Sequence, residues 1–363
     1  MNFRLREAVL LVLIGLILTT VFGLGSGKSN AGQSEINLGN MWTSGTGNGV
    51  TDDTPIFREA FQMAQGGTLY VPKPTVAYSI HNLIIPANIH IIFEAGTIIQ
   101  ANANLPINKP LFKISHAANV TIDGNGAVFG MLNSQYPDRF IGEGTHAFSI
   151  IHSSNVVLNN ITVTSSGGGD GFYINDVVNI RISECSASNC LRNGLSLIGA
   201  IGAVIENSVF FQNRGNGMCI EPNSPADTLQ DIVFQNCLSE NNGAYGLALG
   251  LDKYKTETSR TNVDVTFNDI TTKNNGSTGL LLSVYNFTHG IDGTIHVNNY
   301  TSDGDRLAIN VSNSGVTSPV ITMNGWRILN PTEYHISRVN YQEAAWVRDQ
   351  SGIMLGRVVF NPL

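Results

Sequence analysis

Charged side chains make up only 13% of these 363 residues, which gives weight to a strip where they gather. Asp170, Arg192, Arg214 and Glu221 come from three successive segments of similar sequence, and "LDKYK" adds Asp252, Lys253 and Lys255 from the next. Carboxylates beside cations suit acid–base work on a substrate that carries its own negative charge: Arg or Lys neutralises that charge while Asp or Glu moves a proton. The plainer account is that the corners of a repeat are where solvated charges collect.

The elements that must position these groups repeat along the chain. "GDGFYI", "RNGLSL", "GNGMCI", "AYGLAL" and "STGLLL" align on Gly171, Gly194, Gly217, Gly246 and Gly279, spaced 23, 23, 29 and 33 residues apart. A second family ("VLNNITV", "RISECSA", "VIENSVF", "VFQNCLS", "TFNDITT", "HVNNYTS") keeps the same period, with Asn160, Glu184, Asn207, Asn236, Asp269 and Asn299 at its turn. Each segment alternates apolar and polar residues over strand length and is bounded by Asn, Gly, Ser or Asp. Units this short cannot bury an apolar face alone, so they must stack. No leucine-rich or W-D pattern occurs and a 23-residue coil has no room for a helix, which predicts an all-β chain built as a parallel β-helix over about 68–331. Asn at the corners tolerates left-handed backbone, and stacked amides can bond along the pile.

Alternation assigns the faces. Phe172, Ile174, Leu195, Leu197, Met218, Ile220, Leu247, Leu249, Leu280 and Leu282 point inward. Tyr173, Asn175, Ser196, Ile198, Cys219, Glu221, Ala248, Gly250, Leu281 and Ser283 point outward and, with the anchoring glycines, form a floor of small residues for an extended polymer. With ~4.8 Å per coil and ~3.3 Å per residue, Asp170 and Glu221 are about 19 Å apart, Glu221 and Asp252 about 8 Å, and Asp170 and Arg192 about 6 Å. The middle distance falls in the range of an inverting carboxylate pair, about 6.5–9.5 Å.

Composition excludes other classes. A formal net charge of −7 and no aromatic-basic interleaving argue against nucleic acid. Arg4 and Arg6 precede an apolar run from Ala8 to Leu24, so residues 1–31 are expected to be a signal peptide, or an anchor if retained, which directs the chain outside the cytoplasm. Membrane contact is expected only if that segment stays. Cys185, Cys190, Cys219 and Cys237 lack metal-type spacing and read as buried thiols, although an exported chain permits disulfides. Of six N-x-S/T sites, at Asn119, Asn160, Asn275, Asn286, Asn299 and Asn310, most read as repeat-corner asparagines. Residues 32–331 form the expected solenoid and 332–363 further strands or a cap, in a chain expected to be monomeric.

The stretch "GNGVTDDTPIFREAFQMAQGGTLYVP" predicts a helix near 54–65 over the open first coil, with Asp52 and Asp53 as helix-start residues. It resembles the opening segment of the rhamnogalacturonase and pectate-lyase-like group, within the pectin-lyase-like superfamily of right-handed parallel β-helix proteins. That resemblance covers about 40–330. It implies a right-handed solenoid acting on acidic or neutral polysaccharides by β-elimination or hydrolysis, with phage tailspikes, adhesins and epimerases as a minority. The polygalacturonase motifs are broken here: N-T-D falls on "GGD" and matches at Asp170, G-D-D falls on "LRN" with Arg192 and Asn193, G-H-G on "GNG" with Asn216, and R-I-K on "ALG".

Three functions follow. A lyase would use Arg192 and Lys253 against a uronate carboxylate, with Asp170, Glu221 and Asp252 as Ca²⁺ oxygens if that ion is used. A hydrolase would use Glu221 and Asp252 as acid and base. A carbohydrate-binding protein would need only the floor. Catalytic candidates are therefore Asp170, Arg192, Glu221, Asp252 and Lys253. Substrate contacts are Tyr173, Asn175, Asn193, Ser196, Arg214, Asn216 and His146, the last in "PDRFIGEGTHAFSI", which also carries Asp138, Arg139 and Glu143.

Overall fold

The computed structural model describes residues 35–131, 142–256, 261–284, 291–312, 318–330, 354–355 and 358–361. The segment 1–31 and most of 332–363 lie outside them, as do Asp138, Arg139 and Asn286.

Strands of successive coils pair in parallel and in register along three faces. On the first face Phe112, Phe148, Phe172, Leu195, Met218, Leu247 and Leu280 succeed one another. The second face carries Val156, Ile180, Ala203, Ile232 and Val265, and the third Thr162, Ser186, Val209, Leu238 and Thr271. One strand, Phe148–Ser165, runs across all three, because His152, Asn155 and Asn160 adopt positive φ of 48°, 52° and 50° where it bends. All six turn residues read from the repeat have φ between 50° and 57°. Exposed amides at the corners bond along the pile: Asn119 donates to Asn88 (2.9 Å), Asn155 to Asn119 (3.0 Å) and Asn179 to Asn155 (3.1 Å).

The ten residues assigned inward are all buried, none more than 1% exposed. Inside the solenoid Phe112, Phe148 and Phe172 stack with centroids 5.3 and 5.6 Å apart. A polar column shares this interior: Asn213, Asn242, Asn275 and Asp305 are each 1–2% exposed, each joined to the next. Asn275, one of the glycosylation-type sites, is therefore a core residue. The cysteines are buried free thiols, each pushed up to about 12 by burial. Native protein at pH 8 is expected to resist a thiol reagent and to expose four reactive groups on denaturation; rapid labelling of the native chain would contradict this packing.

Helix α1 spans Thr54–Met63, with Pro55 in its first turn. Phe57, Ala60, Phe61 and Ala64 are buried, and Phe57 meets Tyr78 edge-on at 5.0 Å, so the helix seals the first coil against the strand Leu83–Ile85. The two aspartates divide the work differently from the expectation. Asp52 accepts the Thr54 N–H (3.0 Å) and so serves the helix start. Burial pushes its pKa up, but the Thr54 hydrogen bonds and the His81 and Asn102 contacts outweigh that and leave it below the usual value. Asp53 makes no capping bond. Its carboxylate accepts backbone N–H groups of Ser79 (2.9 Å) and Gly47 (3.2 Å), pinning two strand ends, and burial holds its pKa above normal.

The anchoring glycines are corrected more sharply. They do not belong to an outer floor. A Cβ on Gly171 would meet Ala187 Cβ at 2.7 Å and Cys190 Sγ at 3.2 Å; on Gly194 it would meet Asn213 Nδ2 at 2.8 Å and Phe210 Cβ at 3.0 Å. All four of those neighbours are buried interior groups. The glycines are bare because the corner between the third and first faces presses the chain against the polar column.

Candidate functional site

The outer side of the first face is where the predicted residues converge. Tyr173, Ser196, Cys219, Ala248 and Leu281 occupy one row, in register from coil to coil. Ser196, Cys219 and Ala248 are only 2–6% exposed, a floor sunk beneath its flanks. Ile198, placed outward by simple alternation, is the extra residue of a bulge between Leu197 and Gly199 and is buried.

At one end of the floor His146 stacks on Tyr173, centroids 4.4 Å apart and planes 17° from parallel. His146 Nδ1 accepts the Asp170 backbone N–H (2.9 Å), so the neutral ring carries its proton on Nε2. The Tyr173 hydroxyl accepts from Asn223 Nδ2 at 3.4 Å. Burial raises the Tyr173 pKa and the Asp170 carboxylate adds to that, while Arg192 and Asn223 oppose it; the phenol stays protonated at neutral pH.

Asp170 lies under this platform, fully buried. Its Oδ1 accepts the Asn193 N–H (3.0 Å) and stands 3.8 Å from Arg192 Nε; its Oδ2 is 3.3 Å from His146 Nδ1 and has no hydrogen-bond partner. The same job recurs in the next coils. Asn193 Oδ1 accepts the Asn216 N–H (2.7 Å), and Asn216 Oδ1 accepts the Tyr245 N–H (3.1 Å). Asn193 also donates to Ser196 Oγ at 3.1 Å. Asp170, Asn193, Ser196 and Asn216 are thus turned to internal bonds, not to a ligand on the strip, because each corner leaves a backbone N–H that needs an acceptor.

The accessible charges are Arg192, Glu221 and Arg214. Glu221 follows the strand Met218–Ile220, half-buried, with Cys219 Sγ 3.8 Å from its Oε2. Burial raises the Cys219 thiol's pKa to about 12, and the neighbouring Glu221 carboxylate adds to that. Arg214 is exposed at the preceding corner. Asp252 and Lys253 are carried off the sheet on a 3-10 turn, Asp252–Thr256, where their charges meet at 4.0 Å. Tyr254 ties that turn to the wall by donating to the Asp227 carbonyl (2.7 Å). Among the described residues no three His, Cys, Asp or Glu side chains converge as a metal group, so the trio offered as Ca²⁺ oxygens is not assembled: Asp170 is sealed below and Asp252 sits off the sheet. The wall residue Asn223 carried no sequence signal; only the path of its loop brings it to Tyr173.

Residues 116–281 match the family model described as a right-handed beta helix region. The protein is a right-handed parallel β-helix. Three solved structures share this β-helix fold. A 1,3-alpha-1,4-beta-D-galactose-4-sulfate-3,6-anhydro-D-galactose-2-sulfate 4 galactohydrolase aligns with TM-score 0.61 at 13% identity, over 86% of this chain and 94% of that one. The tailspike protein gp49 of Acinetobacter baumannii bacteriophage Fri1, a capsular polysaccharide depolymerase, gives 0.53 at 14%, over 88% and 67%. A hyperthermoactive exopolygalacturonase from Thermotoga maritima gives 0.52 at 14%, over 82% and 88%. No curated protein matches the sequence. At these identities the likeness is one of fold, and the β-helix hosts its chemistry in the side chains laid on it.

Proposed function

We propose that the protein binds an acidic polysaccharide along the outer side of the first face and cleaves it by β-elimination. The observation that carries this reading is the sorting of the two carboxylates: Asp170 is sealed at 0% exposure, while Glu221 stays open on a strip that also presents Arg192 and the protonated Tyr173 phenol. Elimination needs a base on the strip: Glu221 takes the proton α to a uronate carboxylate, the bond to the leaving oxygen breaks as the double bond forms, and that oxygen takes a proton from water, while Arg192 and Tyr173, nearer the Asp170 end of the strip, hold the acidic chain. The His146–Tyr173 stack offers a sugar ring a flat platform. The three neighbours, whose names describe action on polysaccharides, support a glycan substrate.

Hydrolysis remains a second reading on one observation: Glu221 follows Ile220, which pairs with Leu249, so Asp252 begins two residues beyond the position opposite it. The products decide. A panel of uronate-containing glycans should yield an ultraviolet-absorbing unsaturated end; reducing ends without that absorbance would mean hydrolysis, and neither signal would leave a binding protein. Under the proposal Glu221→Gln lowers turnover about 10²-fold or more with the fold intact, since general acid–base groups contribute about 10²–10⁴. Full activity of that variant would remove Glu221 from the chemistry.

A further inference from the structure

The first face does not end at the His146–Tyr173 platform. Its outer row continues toward the end sealed by α1 through Ser149, in register with Tyr173, and Lys113, in register with Ser149. Lys113 lies between Phe112 and Ile114, both buried, so its side chain stands on the outer side. Ser149 is 6% exposed and makes the floor between Lys113 and Tyr173, as Ser196 and Cys219 do farther along. Lys109 stands at the corner beside this end of the strip. It precedes Phe112 by three residues, as Arg192 precedes Leu195, and Phe112, Phe148, Phe172 and Leu195 succeed one another in register. Lys109 is therefore the counterpart of Arg192 three coils earlier, and it is exposed.

Among the described residues neither lysine forms an ion pair. The exposed Glu143 enters the same corner one coil later without coming within 4.0 Å of either. The other two faces treat their cations differently. Arg181 pairs with Glu206 on the second face, and Lys273 lies in register between Glu240 and Asp303 on the third. In a chain of formal net charge −7, the first face thus carries Lys109, Lys113, Arg192 and Arg214 along one strip, with the two lysines unmatched. An ammonium on a flexible stem is a mobile point charge with three donors, suited to the repeated carboxylates of a polymer. The spacing agrees. Each coil advances the axis by about 4.8 Å, close to the length of one sugar unit in an extended chain. Lys113 lies two coils, about 10 Å, from Tyr173 and four coils, about 19 Å, from Cys219, beside which Glu221 stands.

We infer that Lys109 and Lys113 form an anion subsite that takes uronate carboxylates several sugar units away from the bond over Glu221, so that the strip grips a long stretch of acidic chain laid along the solenoid axis. This rests on the acidic-polysaccharide reading above, but its test reads binding and not cleavage. Hexamers of galacturonate and of mannuronate, with cellohexaose as the neutral control, are titrated calorimetrically into the full chain. At least one acidic hexamer is expected to bind in preference to cellohexaose. Lys109→Gln combined with Lys113→Gln should weaken it about tenfold, the worth of two exposed charge contacts. Lys73→Gln combined with Lys273→Gln removes the same charge away from the first face and should leave the affinity as it is. The melting temperature of the Lys109/Lys113 variant should hold, since neither side chain has an ion-pair partner among the described residues to lose. On a uronate polymer that the protein cleaves, that variant should raise KM more than it lowers kcat, because the lost contact is made equally before and during the reaction. Wild-type affinity in the Lys109/Lys113 variant, or an equal loss from the Lys73/Lys273 variant, would overturn the subsite and leave the chemistry at Glu221 untouched. No preference of either acidic hexamer over cellohexaose would overturn the subsite and the acidic-substrate reading together.

Discussion

Asn242→Ala is expected to destabilise the protein by about 3–5 kcal/mol, because it strands several buried groups at once. Asn242 Oδ1 accepts from both the backbone N–H and the side chain of Asn213, each at 3.0 Å. Its Nδ2 lies within hydrogen-bond reach of the Phe210 carbonyl (3.1 Å), Ser239 Oγ (3.0 Å) and Asn275 Oδ1 (2.9 Å). Alanine leaves the Asn213 N–H and the Phe210 carbonyl inside the solenoid, away from water, and each such loss costs about 1–3 kcal/mol. The control is Asn236→Gly. Asn236 sits exposed at a corner with φ 50° and its side chain donates to Asn207 (2.7 Å), while the backbone N–H bond to the Asn268 carbonyl (2.9 Å) survives substitution, so glycine, which accepts that φ, should cost less than about 1 kcal/mol. Urea unfolding of the two variants checks the contrast; similar losses would mean that the interior column matters no more than a surface rung.

Gly217→Ala should be nearly as costly, at about 3 kcal/mol or more, for a steric reason. The new Cβ would stand 1.9 Å from Ser239 Oγ, 2.8 Å from Asn242 Nδ2 and 2.9 Å from the Gly246 carbonyl. Ser239 cannot simply swing away, since it donates to that same Gly246 carbonyl at 2.7 Å and meets Asn242. Overpacking of this kind costs about 1–3 kcal/mol even where neighbours yield, and here a hydrogen-bonded column must yield with them. Gly250→Ala is the matched comparison on the outer side of the same face: nothing lies within 4 Å of its Cβ position, and alanine there should be neutral or stabilising by up to about 1 kcal/mol. A thermal melt that ranks the two variants the other way would place the glycine column outside the core.

These contrasts mark where sequence reasoning stopped. Period 2 in the strands and the repeat spacing revealed the β-helix, its inward rows and its corner residues, because both signals are local and every coil repeats them. Phe172, Leu195, Met218 and Leu247 could be assigned to the core without coordinates. The glycines that aligned the repeat were legible as a motif but not as a packing demand: whether a missing Cβ faces solvent or Asn213 depends on how the third face turns into the first, which alternation does not encode. The same limit misplaced Ile198, since one bulge shifts the register of everything beside it.

The candidate site divides in the same way. Its membership around Tyr173, Arg192 and Glu221 was visible from coil-to-coil alignment, and so was the closeness of Asp170 to Arg192. What each group faces was not. Asp170, Asn193 and Asn216 occupy equivalent corner positions, and the unpaired backbone N–H of the following coil claims their side chains. That claim exists only once the coils are stacked, so the sequence by itself determined the solenoid, its three-faced repeat and the strip on which polar groups gather. The tertiary structure alone decided which of those groups are consumed in holding the stack and which, like Glu221 and Arg192, stay partly exposed on the strip, because burial and hydrogen-bond satisfaction are properties of neighbours that lie a whole coil away in the chain.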